Sequence, residues 1–304
     1  MNITPLIVDI KRDSHEDGPG IRSVVFFKGC PLRCVFCHNP ESQETWFEIA
    51  FSGKDCTFCG KCAEVCKSEA IDLALKGRID RDKCLYCGDC IKVCESGALM
   101  RIGEGYSAEA LTELLLEDEA FYRSSGGGVT FSGGECASYP DYLEGVLKGL
   151  KKKDIHIAVE TAGYFDYEVF RKKILPYLDL IYYDIKFAEP KQHRKYTGRS
   201  NELILANLRQ LMSDIDLIGS SARVQVRVPL IPGITTGREN LTGIAGLLKK
   251  AGVEEVSLLP YNPLGLEMLT KLGREPSTLP KAFMKPEDEK EVFRLFQDIL
   301  GETY

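Results

Sequence analysis

The stretch FFKGCPLRCVFCHNPES, residues 26–42, decides how this chain reads. Two phenylalanines close an apolar run, Ile21–Phe27, that has the β-branched and aromatic content of a strand. Cys30, Cys34 and Cys37 follow at once, spaced C-x3-C-x2-C, with no fourth cysteine nearby. Three thiolates on a four-iron cube leave one iron without a protein ligand, as a catalytic metal site keeps a coordination position open. Something other than protein is then expected to bind there.

Immediately downstream lie eight more cysteines in two runs, Cys56, Cys59, Cys62, Cys66 and Cys84, Cys87, Cys90, Cys94. Both have the spacing C-x2-C-x2-C-x3-C, and they start 28 residues apart. Their surroundings repeat as well: KDCTFCGKCAEVCKSEAI aligns with DKCLYCGDCIKVCESGAL. Residues 54–99 resemble a bacterial two-cluster ferredoxin, in which the fourth cysteine of each run serves the other cluster. That rule puts Cys56, Cys59, Cys62 and Cys94 on one [4Fe–4S] and Cys66, Cys84, Cys87 and Cys90 on the second. Lys67 and Glu95 stand where such ferredoxins have proline. A pair of zinc knuckles is the bland alternative, but zinc sites pair their cysteines in twos.

The whole chain has 304 residues, 39 Lys plus Arg against 45 Asp plus Glu, and four histidines. A net charge of −6 argues against a nucleic-acid binder, which needs a basic footprint. No apolar run approaches the roughly 18–20 residues that span a bilayer, and MNITPLIVDIKRD lacks the pattern of a signal peptide. A cytoplasmic location is the expectation, and there twelve cysteines mean metal or redox chemistry rather than disulfides.

Beyond the first strand the pattern alternates. Val129–Ser132, Ile155–Thr161, Leu178–Lys186, Val224–Leu230 and Glu255–Pro260 read as further strands. Residues 107–121, 140–152, 166–174, 200–212, 239–250 and 286–300 read as helices, with Leu143, Val146, Leu147 and Leu150 marking an amphipathic face. Six β-then-α units predict a parallel sheet, and six rather than eight predict a partial (β/α)6 barrel. The cysteine repeat interrupts it as an insert. The expected division is 1–48, 49–103 and 104–304. Chemistry in such folds sits at the C-terminal strand ends, and those ends carry Lys28-Gly29-Cys30, Ser132-Gly133-Gly134-Glu135, Glu160-Thr161, Asp184-Ile185-Lys186, Arg227 and Tyr261-Asn262.

DGPGIR at 17–22, the 26–42 stretch, SGGE, ETAG, DIK, YTG…N and IPG together resemble the glycyl radical enzyme activating enzymes of the radical S-adenosylmethionine (SAM) superfamily, over nearly the whole chain. The insert marks the subgroup with two extra clusters. The resemblance implies a radical SAM barrel with a ferredoxin-like insert, three [4Fe–4S] clusters and SAM. It implies reductive cleavage of SAM to a 5′-deoxyadenosyl radical, which takes a hydrogen from a backbone glycine of a partner glycyl radical enzyme. Flavodoxin or ferredoxin is the expected electron donor.

Roles follow by motif. Cys30, Cys34 and Cys37 hold the catalytic cluster. Gly133, Gly134 and Glu135 lie against the methionine amino group. Asp184, Ile185 and Lys186 approach the methionine carboxylate. Glu160, Thr161 and Asp184 can form a small monovalent cation site. Arg227 meets the carboxylate or the incoming glycine loop. Phe36 keeps the aromatic that packs beside adenine, His38 follows Cys37 as a loop residue on the cofactor side, and Asn262 stands where relatives often carry histidine. Cys136, in contrast, reads as a small buried thiol, and His15, His156 and His193 show no metal spacing. A rival reading is another radical SAM enzyme with auxiliary clusters acting on a peptide or small molecule. Sulfatase-maturating relatives of that kind carry the extra motifs after the barrel, not near its start. A pure electron-transfer protein would explain the repeat but not the three-cysteine loop. The insert itself, residues 49–103, carries +1 and the remainder −7.

Overall fold

A computed structural model describes residues 3–218, 222–275 and 277–303. Among them ten strands occur: β1 Leu6–Ser14, β2 Arg22–Phe27, β3 Glu48–Phe51, β4 Leu99–Ile102, β5 Glu104–Gly105, β6 Gly128–Gly133, β7 His156–Thr161, β8 Leu180–Asp184, β9 Arg223–Leu230 and β10 Glu255–Pro260. Eight form one open sheet in the order β10-β9-β8-β7-β6-β2-β1-β5. The six expected strands, β2 and β6 through β10, all run parallel. They need burial on both faces: five of the six residues of β6 (GVTFSG) are buried, and LIYYD reads as a near-continuous apolar run. The main core joins these strands to the helices Pro140–Lys151 and Arg238–Ala251 through Val129, Phe131, Leu143, Leu147, Ile181, Val226 and Leu248.

The structure corrects the sequence reading at four places. β1 and β5 extend the sheet antiparallel beyond β2; β1 carries Asp9, Lys11, Arg12 and Asp13, charges that mask a half-exposed outer strand. The single helix expected over 107–121 is two, Ala108–Leu116 and Glu119–Ser125. Asp118 between them turns its carboxylate to Arg12 (2.8 Å) and the Ser23 hydroxyl (2.7 Å). Short helices at Pro190–Thr197 and Gly265–Lys271 lack a clear apolar stripe in sequence. The DGPGIR motif works as a pin: Arg22 is fully buried, and its guanidinium donates to Thr130 Oγ1 (2.6 Å), the Val129 carbonyl (2.7 Å) and the Pro19 carbonyl (3.1 Å).

Within 49–103, β3 and β4 pair antiparallel and enclose two one-turn helices, Lys61–Glu64 and Asp89–Lys92. The internal repeat is visible in the backbone. Gly60 and Gly88 cap these helices, both at φ 81°, and the aromatic before each second-position cysteine, Phe58 and Tyr86, also has positive φ. Ile49, Phe51, Ile79, Ala98 and Leu99 form a separate apolar cluster around these turns.

Candidate active site

The loop after β2 closes on itself. Gly29 N donates to the Ser42 carbonyl (2.7 Å) and Cys30 N to that of Gln43 (3.0 Å). Its far side is docked on the end of the helix Pro190–Thr197, with Arg33 N on the Thr197 carbonyl (2.8 Å) and Val35 N on that of Tyr196 (3.0 Å). That is the work of the YTG stretch. Gly29, at φ 102°, admits no side chain, because a Cβ would strike the Tyr139 hydroxyl. Burial pushes the thiols of Cys30, Cys34 and Cys37 up to about 12. Lys186 faces all three and opposes that rise. Buried thiols become thiolates when a metal centre supplies the compensating charge, and in this respect the loop fits an iron–sulfur cluster.

Glu160 near the end of β7, Asp184 at the end of β8, Lys186 just beyond it and Arg227, which lies three residues before the end of β9 rather than at it, form a chain of alternating charge. Arg227 Nη1 donates to Glu160 Oε1 (2.6 Å), its Nε to Asp184 Oδ1 (3.0 Å), and Lys186 Nζ to Asp184 Oδ2 (3.1 Å). Ser132 adds a hydroxyl to Glu160 (2.5 Å), and Tyr182 lies beneath the guanidinium, 4.8 Å from ring centre to Cζ. Burial would raise the Asp184 carboxyl, yet Lys186 and Arg227 hold it below its ordinary value. Burial would likewise lower Arg227, and Asp184 and Glu160 raise it. The backbone between the two charges is fixed by Ile185 N on the Arg227 carbonyl (2.9 Å). The chain is electrically neutral as it stands.

Thr161 does not join it. Its hydroxyl sits 2.8 Å from both oxygens of Glu135, which also accepts from Ala162 N (3.0 Å) and Ala137 N (3.3 Å). Burial pushes this carboxyl up to about 7, against those hydrogen bonds. So the three groups expected to share a small cation are apportioned differently: Arg227 stands between Glu160 and Asp184, and Thr161 faces Glu135. Gly133 and Gly134 approach protein backbone. A Cβ on Gly133 would strike the Phe27 amide, and one on Gly134 the Gly29 carbonyl. Gly134 N and Glu135 N donate to the carbonyls of Phe27 (2.8 Å) and Gly29 (2.9 Å), which clamps the SGGE turn to the cysteine loop.

Phe36 is buried with Phe187, Ile231, Tyr261 and Leu279, its ring 6.3 Å from that of Phe187. His38 is an exposed residue of the loop, and desolvation of its ring lowers its basicity. Asn262 uses its side-chain carbonyl to accept Leu264 N (3.0 Å), which shapes the turn into Gly265–Lys271. Gly265 packs so closely on the carbonyls of Cys37 and His38 that a Cβ would collide with both. Sequence reading missed this contact and a buried ion cluster. Lys28 Nζ donates to Glu48 Oε2 (2.7 Å) and the Glu41 carbonyl (2.7 Å), while Arg274 Nη2 donates to Glu48 Oε1 (2.7 Å). The KGC triplet offered Lys28 as a signal, but its partners lie far along the chain.

In the insert, two cavities divide the cysteines. One is lined by Cys56, Cys59, Cys62 and Cys94, the other by Cys66, Cys84, Cys87 and Cys90. The fourth cysteine of each run takes a backbone N–H···S contact, Ala70 N to Cys66 (3.3 Å) and Leu99 N to Cys94 (3.4 Å). Burial alone would raise both thiols; contacts including these amides and the hydroxyls of Ser68 and Ser96 bring them down. Among the described residues no group of three or more His, Cys, Asp or Glu side chains is already drawn in around a single metal position.

Residues 16–205 match the family model described as a 4Fe-4S single cluster domain. The fold is shared with a radical SAM methyltransferase from Sphaerobacter thermophilus, at 15% identity and a TM-score of 0.54 over 99% of this chain and 75% of that one. The class is thus an α/β protein with a mostly parallel sheet and a 4Fe-4S cluster domain. Among characterised proteins, the trans-4-hydroxy-L-proline dehydratase activating enzyme of Clostridioides difficile is 40% identical over 97% of both chains. The isethionate sulfite-lyase activating enzyme of Oleidesulfovibrio alaskensis is 40% identical over 90% of this chain and 88% of its own. The chain belongs to the glycyl radical enzyme activating enzymes. Its partner is accordingly a glycyl radical enzyme.

Proposed function

We propose that Cys30, Cys34 and Cys37 hold the catalytic [4Fe–4S] cluster and that the charged strand ends opposite them receive SAM. The observation that carries this is a loop of three half-buried cysteines clamped to the SGGE turn, with Lys186 of the neutral chain Glu160–Arg227–Asp184–Lys186 acting electrostatically on all three thiols. When loaded, the cluster would supply the electron for reductive cleavage of SAM, the chemistry by which an activase of this kind would remove hydrogen from its partner's glycine. The chain's own residues bind and orient. Lys186 and Arg227 offer cations to the methionine carboxylate, and each already has a carboxylate to return to when the ligand leaves. Gly133, Gly134 and Glu135 present backbone close to the loop and, in this reading, face the methionine amino group. In this reading Phe36 packs beside adenine and Asn262 hydrogen-bonds the adenosine, with His38 and Ile185 as further cofactor contacts. The apolar group around Phe36 and Phe187 keeps water away from the adenine.

We assign a monovalent cation to Glu160, Thr161 and Asp184; to admit it Arg227 gives up one carboxylate and the Thr161 hydroxyl turns away from Glu135. SAM affinity that is the same in sodium, potassium and a large organic cation would argue against that ion. We also propose that the chain divides as 1–48, 49–103 and 104–304, and that the insert carries two further [4Fe–4S] clusters. One is held by Cys56, Cys59, Cys62 and Cys94 and the other by Cys66, Cys84, Cys87 and Cys90, as the two cavities group them. Flavodoxin or ferredoxin is the donor in this reading, and twelve free cysteines suit the reducing cytoplasm. Among the described residues no helix is long and apolar enough to cross a membrane. The decisive test is Cys34→Ala: 5′-deoxyadenosine formation from SAM is expected to vanish in the anaerobically reconstituted protein, and undiminished formation would falsify the assignment.

A further inference from the structure

We infer that the insert is a directional electron relay. The site of Cys56, Cys59, Cys62 and Cys94 faces the donor, and the site of Cys66, Cys84, Cys87 and Cys90 faces the barrel. This rests on the two-cluster reading above and adds a polarity to it. The insert is built from two similar halves, so nothing in its repeat says which half is inner. The attachment does. Both chain connections to the barrel leave from the same end of the β3–β4 pair, where Glu48 pairs with Ile102. Glu48 is bonded to Lys28 at the end of β2, and the next residue, Gly103, packs on the Lys28 stem.

Moving outward from that end, the residues of β3 meet the two cavities in order. Phe47, just before the strand, sets its ring edge-on to Tyr86 at 6.2 Å. Ile49 lines the cavity of Cys84 and its partners. Phe51, two residues or about 7 Å further along a strand, lines the cavity of Cys56 and its partners. Arg81, beside Cys84, reaches the Lys271 carbonyl (3.5 Å) on the C-terminal segment. The outer half meets that segment through Lys54 and Glu267 at 3.7 Å, an exposed pair that contributes little.

The repeat then shows what each half does with the same position. Tyr86 is packed on Phe47, whereas its counterpart Phe58 is 65% exposed and rests on the Arg78 guanidinium at 4.5 Å, with Leu73 beside it. Exposure of the thiols does not set the direction, since Cys59 and Cys87 are both exposed; the anchoring does. The occupant of the outer face is a small one-electron carrier with an acidic surface. At +1, against −7 for the rest of the chain, the insert is the part of the protein that repels such a carrier least. One electron leaves the reduced carrier, enters the outer site and passes to the inner one, with no bond or proton changing hands.

The test uses the intact, anaerobically reconstituted protein, with a reduced acidic ferredoxin as probe and optical bleaching of the clusters as readout. Phe58→Glu should slow reduction by ferredoxin about tenfold through like-charge repulsion at the docking rim and leave reduction by dithionite unchanged. Leu85→Glu, 76% exposed on the inner half, should change either rate by less than about twofold. Equal or greater slowing in Leu85→Glu, or no slowing in Phe58→Glu, overturns the polarity. An iron content near four in the wild type would instead remove the two-cluster reading itself, so the two failures are distinguishable.

Discussion

Glu48 joins three parts of the chain that lie far apart in sequence. Its two carboxylate oxygens take Lys28 and Arg274, and Lys28 is wholly buried. Removing one partner of a buried ion cluster leaves an uncompensated charge and costs about 3–5 kcal/mol. Glu48→Gln should therefore lower the unfolding midpoint of the holoenzyme markedly, and adding Lys28→Met should recover part of the loss. A midpoint unchanged from wild type would show that the cluster contributes nothing. Composition and spacing were silent about this group, because a lysine before a cysteine loop and an arginine 246 residues later carry no signal of contact. The eleven loop and repeat cysteines were legible as ligand candidates, since their spacing is a local property of the chain. Thr161 was legible only as a strand-end residue; that it faces Glu135 rather than Asp184 depends on where β6 ends relative to β7.

At the scale of elements, the SGGE turn and the cysteine loop form one unit. Gly134 N and Glu135 N hold the carbonyls of Phe27 and Gly29, and there is no room for a Cβ between the two segments. Gly134→Ala should push the loop off the end of β6, at the cost of about 1–3 kcal/mol typical of an inserted methyl group. The expected result is a folded protein with weakened SAM binding, read by equilibrium titration; wild-type affinity would show that the clamp is slack. The parallel strands were readable from their apolar runs, because a strand covered on both faces needs such a run. β1 was not, because an outer, half-exposed strand tolerates the charges of VDIKRD. The helix Gly265–Lys271 was missed for a related reason. Its place is secured by one glycine against the carbonyls of Cys37 and His38 rather than by an apolar stripe.

At the scale of the whole molecule, an open, mostly parallel sheet carries the cysteine loop at one set of strand ends, and the insert is fastened beside that loop by Glu48 and Arg274. The proposed cluster count is tested here: complete anaerobic reconstitution should bring roughly 12 irons per chain, as three cubanes require, and a plateau near four would leave only the catalytic site. By itself the sequence determined the number and order of the parallel strands, the cysteine groups and the family. The strands and the cysteine groups follow from short-range spacing and periodicity, which the backbone geometry of strands, helices and cluster loops imposes directly, and the family from the resemblance that the ordered motifs carry. Only the tertiary structure decided which charges neutralise one another at the strand ends, which residues the glycines make room for, and which half of a near-symmetric insert is turned to the barrel. Those depend on distances between segments that the chain's order leaves open, and burial makes each pairing matter, because a buried charge without its partner has no water to replace it.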